Sequence, residues 1–196
     1  MPSHRTLTII GVIAASLSLS ACAMPGNGMG MGGSDSSEQS ATTNNADSAF
    51  VMMMIPHHQQ AIEMSDMILG KSGIDAQVLA LAEQIKSAQG PEIELMQGWL
   101  DDWGFGSMDG MDGMNHGGGD DGMMSDEDMA ALEDATGAEA SRLFLTQMIE
   151  HHEGALAMAE DEIKNGKNPD VIALAQDIVT SQTVEIATMK QLLAAL

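Results

Sequence analysis

The chain has little cysteine: Cys22 is the only one among 196 residues. With one cysteine, no disulfide can form within the chain. If that cysteine carries a lipid, any metal site must use histidine, methionine, aspartate or glutamate. Its position is informative, because it ends the segment LSAC directly after an apolar stretch near the N-terminus.

Residues 1–21 are predicted to be a secretory signal peptide. Arg5 supplies the positive charge, and residues 7–19 are apolar but shorter than the roughly 20 residues of a membrane-spanning helix. LSAC resembles the lipobox of bacterial lipoproteins, in which the cysteine becomes a lipid-modified N-terminus. We therefore predict export across the cytoplasmic membrane and lipid anchoring through Cys22 at the periplasmic or extracellular face of the cell envelope. An ordinary signal peptide ending near a cysteine is the alternative.

Basic residues are also scarce. The chain has 7 Lys and Arg against 29 Asp and Glu, which gives a formal net charge of −22. This charge repels nucleic-acid phosphates, so no nucleic-acid partner is expected. It equally opposes docking on a membrane through a basic patch, which leaves the lipid as the predicted attachment. A strongly acidic domain attracts cations.

Aromatic residues are few, with no tyrosine, whereas methionine occurs 19 times. Methionine is a flexible apolar filler of protein cores, and its thioether is also a ligand for soft metals. Composition does not distinguish these roles, so the positions of the methionines must.

Two low-complexity stretches divide the rest of the chain. Residues 22–46 are predicted to form a flexible tether rich in Gly, Ser and Met, and residues 104–125 form a linker rich in Gly, Met and Asp. Segments 47–103 and 126–196 show the apolar periodicity of helices. Each is predicted to form a helical hairpin.

The two hairpins are an internal repeat. MMMIPHHQQAIEM at 52–64 is matched 94 residues later by TQMIEHHEGALAM, and QGPEIELM at 89–96 is matched 93 residues later by QTVEIATM. Two hairpins that are each apolar on one side can bury themselves against each other. The repeat therefore predicts an all-α, antiparallel four-helix bundle with approximate twofold symmetry.

These motifs resemble those of the domain of unknown function 305 family of secreted bacterial proteins. The family pattern Phe-x-x-x-Met-Ile-x-His-His-x-x-Ala-x-x-Met is met by FVMMMIPHHQQAIEM and FLTQMIEHHEGALAM, and its pattern Gln-x-x-Glu-Ile-x-x-Met by the two shorter segments. The resemblance implies a ferritin-like fold. It also implies extracytoplasmic copper binding, because members with a proposed role bind copper and are tied to copper resistance. Much of the family has no assigned activity.

The spacing of the repeated motif brings soft ligands together. Met54 stands three residues before His57 and four before His58, and residues at these spacings are neighbours on a helix. Thioether and imidazole together favour Cu(I), and imidazole also accepts Cu(II). The predicted copper ligands are Met54, His57, His58, Met64, Met96, Met148, His151, His152, Met158 and Met189.

Adjacent histidines point about 100° apart around a helix, so only one of each pair can face the interior directly. The other is predicted to reach a neighbouring helix, where a polar side chain orients its ring. The residues predicted for this supporting role are Gln89, Glu92, Gln182 and Glu185. Which histidine takes which role is left open.

The linker carries a second pattern. Met108, Met111 and Met114 recur every third residue and are followed by His116, a spacing that suits the wrapping of a Cu(I) ion. A flexible linker of biased composition explains the same pattern equally well.

Three functions are therefore compared. The first is a copper-binding protein that sequesters the ion or passes it to a copper-handling partner. The second is a structural bundle whose histidines form a hydrogen-bond network without metal. The third is a redox enzyme, but ferritin-like di-iron proteins place Glu three residues before His, where this chain has Met54 and Met148. We predict that the chain is not an enzyme. A homo-oligomer is left open.

Overall fold

The computed structural model describes residues 42–105 and 121–196, and all regular structure in these residues is helical. The predicted all-α class is confirmed, and none of the described helices is long and apolar enough to cross a membrane. Four helices are long and one is short. They are α1 (Asn45–Leu69), α2 (Ala76–Asp102), α3 (Asp126–Asp134), α4 (Gly137–Asn165) and α5 (Pro169–Ala195).

Several predictions fall outside the described residues. These concern the signal peptide at 1–21, most of the tether and the centre of the linker. The residues affected are Cys22, Met108, Met111, Met114 and His116.

Side chains that accept hydrogen bonds from backbone N–H groups set most of the helix starts. Asp75 caps α2 by accepting from the N–H of Gln77 at 2.8 Å. Asn168 caps α5, and Pro169 occupies the first helical position, where its missing N–H costs nothing. Asn44 caps α1 and Ser125 caps α3, each in a reciprocal capping box.

Each half of the chain is a hairpin, because α1 packs along α2 and α4 packs along α5. The halves meet mainly through α1 and α4, and α3 rests on both of these helices. The buried apolar residues form two clusters, and each cluster takes residues from both halves. Neither hairpin therefore buries its apolar side alone.

Polar contacts join the halves near the helix starts. Asp47 in the first turn of α1 accepts from the N–H groups of Lys167 and Asn168 at 2.9 and 2.8 Å, just before α5. Ser141 in the first turns of α4 accepts from the N–H of Asp75 at 3.4 Å, just before α2. Asp47 and Ser141 are 94 residues apart, so the two contacts follow the approximate twofold symmetry of the repeat.

Candidate metal centre

The first histidines of the two pairs meet between α1 and α4. The rings of His57 and His151 lie 3.7 Å apart between centroids, with their planes tilted by 36°. His57 is 1% exposed and His151 has no exposed surface. The two histidine motifs, distant in sequence, thus form one shared centre at the contact between the halves.

The second histidines reach the outer helix of their own hairpin. His58 Nε2 lies 2.8 Å from Glu92 Oε2 in α2, and His152 Nε2 lies 2.8 Å from Glu185 Oε2 in α5. Each ring donates its Nε2–H to a carboxylate, which fixes the orientation of the ring. The sequence left open which histidine of each pair reaches a neighbouring helix, and in both halves it is the second.

The surroundings of the two glutamates differ. The Glu92 side chain is 23% exposed, whereas the Glu185 side chain is 7% exposed. Gln84 of α2 donates to Glu185 Oε1 at 3.0 Å, across the contact between the halves. The predicted supporting amides, Gln89 and Gln182, are both buried at 3% exposure, and no hydrogen bond joins either of them to a motif histidine within the described residues.

The end of the linker crosses the histidine helices, and we call residues 121–124 the strap. The carbonyl oxygen of Asp121 lies 3.0 Å from His57 Nε2, so that nitrogen carries a proton and donates it. The side chain of Gln60 in α1 holds the backbone of Met124, accepting from its N–H at 2.7 Å and donating to its carbonyl at 2.8 Å.

The strap also passes close to α4, at Gly154. A Cβ at Gly154 would lie 1.9 Å from the carbonyl oxygen of Asp121 and 2.7 Å from the Cα of Gly122, so only glycine fits. Gly122 has a φ of 75°, a backbone conformation that also favours glycine. Gly154 occupies the repeat position of Gln60. These two equivalent positions therefore contact the strap differently. Gln60 on α1 binds it through side-chain hydrogen bonds, whereas Gly154 on α4 lets it approach because it has no side chain.

Burial keeps the central rings neutral. Loss of contact with water, and to a smaller extent the nearby His58, lowers the pKa of His57 to about 3. Burial, followed by the neighbouring His57 and His152, lowers the pKa of His151 well below its ordinary value. Metal ions bind the neutral form of imidazole, so both rings are in the ligating form at neutral pH.

The central pair has unused lone pairs. With the Nε2–H of His57 donated to Asp121, its Nδ1 has no hydrogen-bond partner among the described residues. In the same part of the chain, neither ring nitrogen of His151 makes a hydrogen bond of good geometry, although the backbone of His57 lies near enough to raise its pKa slightly. A buried polar atom without a partner costs about 1–3 kcal/mol. The weak contact with the His57 backbone is thus all that hydrogen bonding offers a histidine at position 151 within the described residues.

The predicted methionine ligands divide between the two core clusters. Each cluster combines two methionines of one half with one of the other half, because the hairpins interlock. Met64 is an example, because it is on the same helix as Met54 but packs in the other cluster. One cluster holds Met54 and Met96 with the partly buried Met158, and the other holds Met148, Met189 and Met64.

Metal ligands other than methionine form no ready-made cluster in the described residues. No group of three or more His, Cys, Asp or Glu side chains in the described residues is arranged to hold a metal ion. The oxygen ligands that hard ions require are therefore not clustered in the described residues.

The sequence profile of the family described as Domain of unknown function (DUF305) matches residues 47–193. The chain belongs to the DUF305 family. This span contains both histidine motifs and both glutamate motifs, so the resemblance noted in the sequence is confirmed over the whole described bundle.

Solved DUF305 structures share this fold. A DUF305 fragment from Deinococcus radiodurans is 30% identical with a TM-score of 0.66, over 79% of this chain and 99% of that chain. A protein from Streptomyces coelicolor, named as a secreted DUF305 protein, is 34% identical with a TM-score of 0.66, over 76% and 91% of the two chains.

CopM is a third similar structure. In its Cu(II)-bound form it is 36% identical to this chain with a TM-score of 0.66, over 76% of this chain and 96% of CopM. CopM has also been solved with Cu(I) and with Ag bound. A search among curated proteins gave no match.

The DUF305 motif did not point to every residue at the centre. Sequence reasoning missed Gln60, Gln84, Asp121 and Gly122, whose roles depend on contacts between distant segments. Gly154 offered a signal, because glycine inside a helical pattern often marks a close backbone approach.

Proposed function

We propose that this DUF305 protein binds a soft metal ion, with Cu(I) favoured and Cu(II) accepted, at the pair formed by His57 and His151. Its role is to sequester copper outside the cytoplasm or to pass it to a copper-handling partner protein. The observation that carries the proposal is His151, a fully buried imidazole whose ring nitrogens make no hydrogen bond of good geometry among the described residues. The copper- and silver-bound forms of CopM support the choice of metal.

The contact between the rings limits where an ion can bind. The lone pairs of imidazole lie in the plane of the ring, whereas His57 and His151 meet with their rings 3.7 Å apart and only 36° from parallel. An ion between the ring faces would meet no lone pair. A shared ion must therefore bind at the ring edges, and the rings must turn or separate as it binds.

Sulfur from the same helices completes the proposed ligands. Met54 stands three residues before His57, and Met148 stands three residues before His151, so each thioether lies on the same helix face as its histidine. Both methionines are fully buried. Thioether sulfur disfavours the hard ions Mg²⁺ and Ca²⁺, which require oxygen ligands.

The test is a Cu(I) titration of the purified chain against a chromophoric chelator. Changing His57 and His151 to Ala removes the proposed nitrogen ligands, and we expect the affinity to fall by at least about 100-fold. The matched controls are His58→Gln and His152→Gln, because glutamine can still donate to Glu92 or Glu185. Unchanged affinity after loss of both central histidines would refute the proposal.

A structural role without metal is the second candidate. It is supported by the hydrogen bonds of the second histidines to Glu92 and Glu185 at 2.8 Å. A purely structural network predicts no stabilisation by copper. A true site raises the stability by about 2.7 kcal/mol when the free ion stands at 100 times the dissociation constant. Thermal melting with and without Cu(I) separates the two candidates.

We also propose that the protein binds copper without catalysing a reaction and that a lipid on Cys22 anchors it at the cell envelope. Incorporation of an alkyne-bearing fatty acid in the source cells tests the anchor. Label on the native chain that disappears in Cys22→Ser supports it, and equal labelling of both chains contradicts it.

A further inference from the structure

We propose a second, outer site for soft ions, formed by the thioethers of Met53, Met123 and Met158. The choice of ion rests on the proposed function, but the site is separate from the central pair. Met53 belongs to α1, Met158 to α4 and Met123 to the strap, so three elements of the fold contribute one sulfur each.

The three methionines line one small cavity. Its volume is about 20 Å³, and its other walls are Pro56, His57 and Asp121. About 10–15 Å³ measured in this way is enough for one water molecule, so the cavity has room for a single ion. Three thioethers around a single ion suit Cu(I) or Ag(I) and would be a poor site for a hard ion.

The repeat shows that the core does not require a methionine at position 53. The equivalent residue of the second half is Gln147, which is 5% exposed and donates to the carbonyl of Asp128 at 2.8 Å. Met53 is instead 44% exposed, one of few large apolar side chains in the described residues that face solvent. Packing therefore does not account for this methionine, whereas a sulfur ligand at a cavity mouth does.

The fold anchors the segments that carry the other two thioethers. Met123 lies in the strap, between the Asp121 carbonyl that accepts from His57 and the Met124 backbone that Gln60 holds. Met158 packs against the core cluster that contains Met54 and Met96. Its counterpart in the repeat, Met64, has no exposed surface. The repeat equivalents of Met53 and Met158 are thus Gln147 and a fully buried methionine, so within the described residues the repeat forms no second copy of this site.

The outer site adjoins the central pair. His57 forms one wall of the cavity but is only 1% exposed, whereas Met53 at the same cavity is 44% exposed. An ion that reaches His57 from this side must therefore pass the thioethers first. The outer site is the place where a soft ion is captured before it moves to His57 and His151.

The test uses the purified chain with ¹³C-labelled methionine methyl groups and ¹⁵N-labelled histidine rings, titrated with Ag(I). Silver is a diamagnetic soft ion, so each ligating thioether reports through a shift of its methyl signal. We expect the signals of Met53, Met123 and Met158 to move together as about one equivalent is added. Met67 and Met129 are the controls, because both are partly buried but lie outside the cavity.

Substitution separates the two sites. One triple variant combines Met53→Gln, Met123→Leu and Met158→Leu. The glutamine copies the equivalent residue of the second half, and the two leucines keep the apolar volume while removing sulfur. We expect this triple variant to lose about one equivalent of bound Ag(I) and to load the central pair at least about 10-fold more slowly. Met67→Leu with Met129→Leu should change neither quantity.

The outcomes distinguish the outer site from the proposed function. If the ring signals of His57 and His151 shift while the three methionine signals stay fixed, the outer site is wrong and the central site stands. If the three methionine signals shift while both rings stay fixed, the outer site stands and the central site is wrong. If none of these signals moves, both proposals fail.

Discussion

The ring of His57 packs on the ring of His151 at 3.7 Å between centroids, although the two residues are 94 positions apart in the sequence. They occupy the same position in the two copies of the repeat, so their contact lies where the halves are related by approximate twofold symmetry. Both rings are buried and both have a lowered pKa. The two neutral rings are in contact and keep nitrogen lone pairs that the described residues do not use. These lone pairs are free to bind a metal ion, a property that folding itself does not require.

His151→Leu is expected to leave the free energy of unfolding of the metal-free protein unchanged or to raise it by up to about 3 kcal/mol, because it removes buried ring nitrogens that make no hydrogen bond of good geometry. His152→Leu is expected to lower it by about 2–3 kcal/mol, because Glu185 loses the ring that donates to it while remaining buried. Urea unfolding of both variants measures the difference. Equal losses would show that His151 has a structural role after all.

Acid should destabilise the metal-free protein through the central pair. The pKa of His57 falls to about 3 on folding, mainly by desolvation, and that of His151 also falls. Below the ordinary pKa of 6.5 the unfolded chain binds protons that the folded chain does not, so stability decreases as the pH falls from about 6.5 towards 3. The slope is about 1.4 kcal/mol per pH unit for each histidine. Urea unfolding at several pH values measures it.

A variant with both His57 and His151 changed to Leu is the control for this slope. It should lose stability less steeply than the native chain between pH 6.5 and about 4. The same slope in both proteins would mean that the two rings take up protons in the folded state as readily as in the unfolded state.

Alkali should destabilise the protein through Glu162. Desolvation first, and then the hydrogen bond and charge of Asp47, raise the pKa of Glu162 from 4.5 to about 8. The resulting stabilisation is complete below the unfolded pKa and is lost as the pH rises through the folded value. Glu162→Gln should therefore melt at a higher temperature than the native chain above pH 8. Glu160→Gln, at an exposed neighbouring position, should not.

The sequence predicted local features well because local chemistry determines them. The helical periodicity of segments 47–103 and 126–196 is one such feature, and the caps that begin α2 and α5 are equally local, because Asp75 and Asn168 accept hydrogen bonds from N–H groups two residues ahead. The glutamates near the second histidines followed from the geometry of one hairpin. The strap was not predicted, because Asp121 reaches His57 over 64 residues and no local pattern encodes that contact. The cluster in which Met64 packs also depends on how the two hairpins interlock, which no local pattern encodes.

Gly154→Ala tests whether the strap is held where the proposed sites need it. An added Cβ would lie 1.9 Å from the Asp121 carbonyl oxygen, so the strap must move away from α4 and weaken its hydrogen bond with His57. We expect a net loss of about 1–2 kcal/mol, since overpacking costs about 1–3 kcal/mol and alanine regains up to about 1 kcal/mol in a helix. We also expect weaker Ag(I) binding, because Met123 moves with the strap.

Gly98→Ala is the matched control for that substitution. Gly98 also lies inside a long helix, but a Cβ there would meet no atom within 4 Å. The same chemical change should therefore raise stability by about 0.5–1 kcal/mol and leave Ag(I) binding unchanged. Thermal melting and silver titration of both variants measure the contrast. If Gly154→Ala instead stabilised the chain as Gly98→Ala does, the strap would not press against α4, and the position of Met123 at the outer site would lose its structural basis.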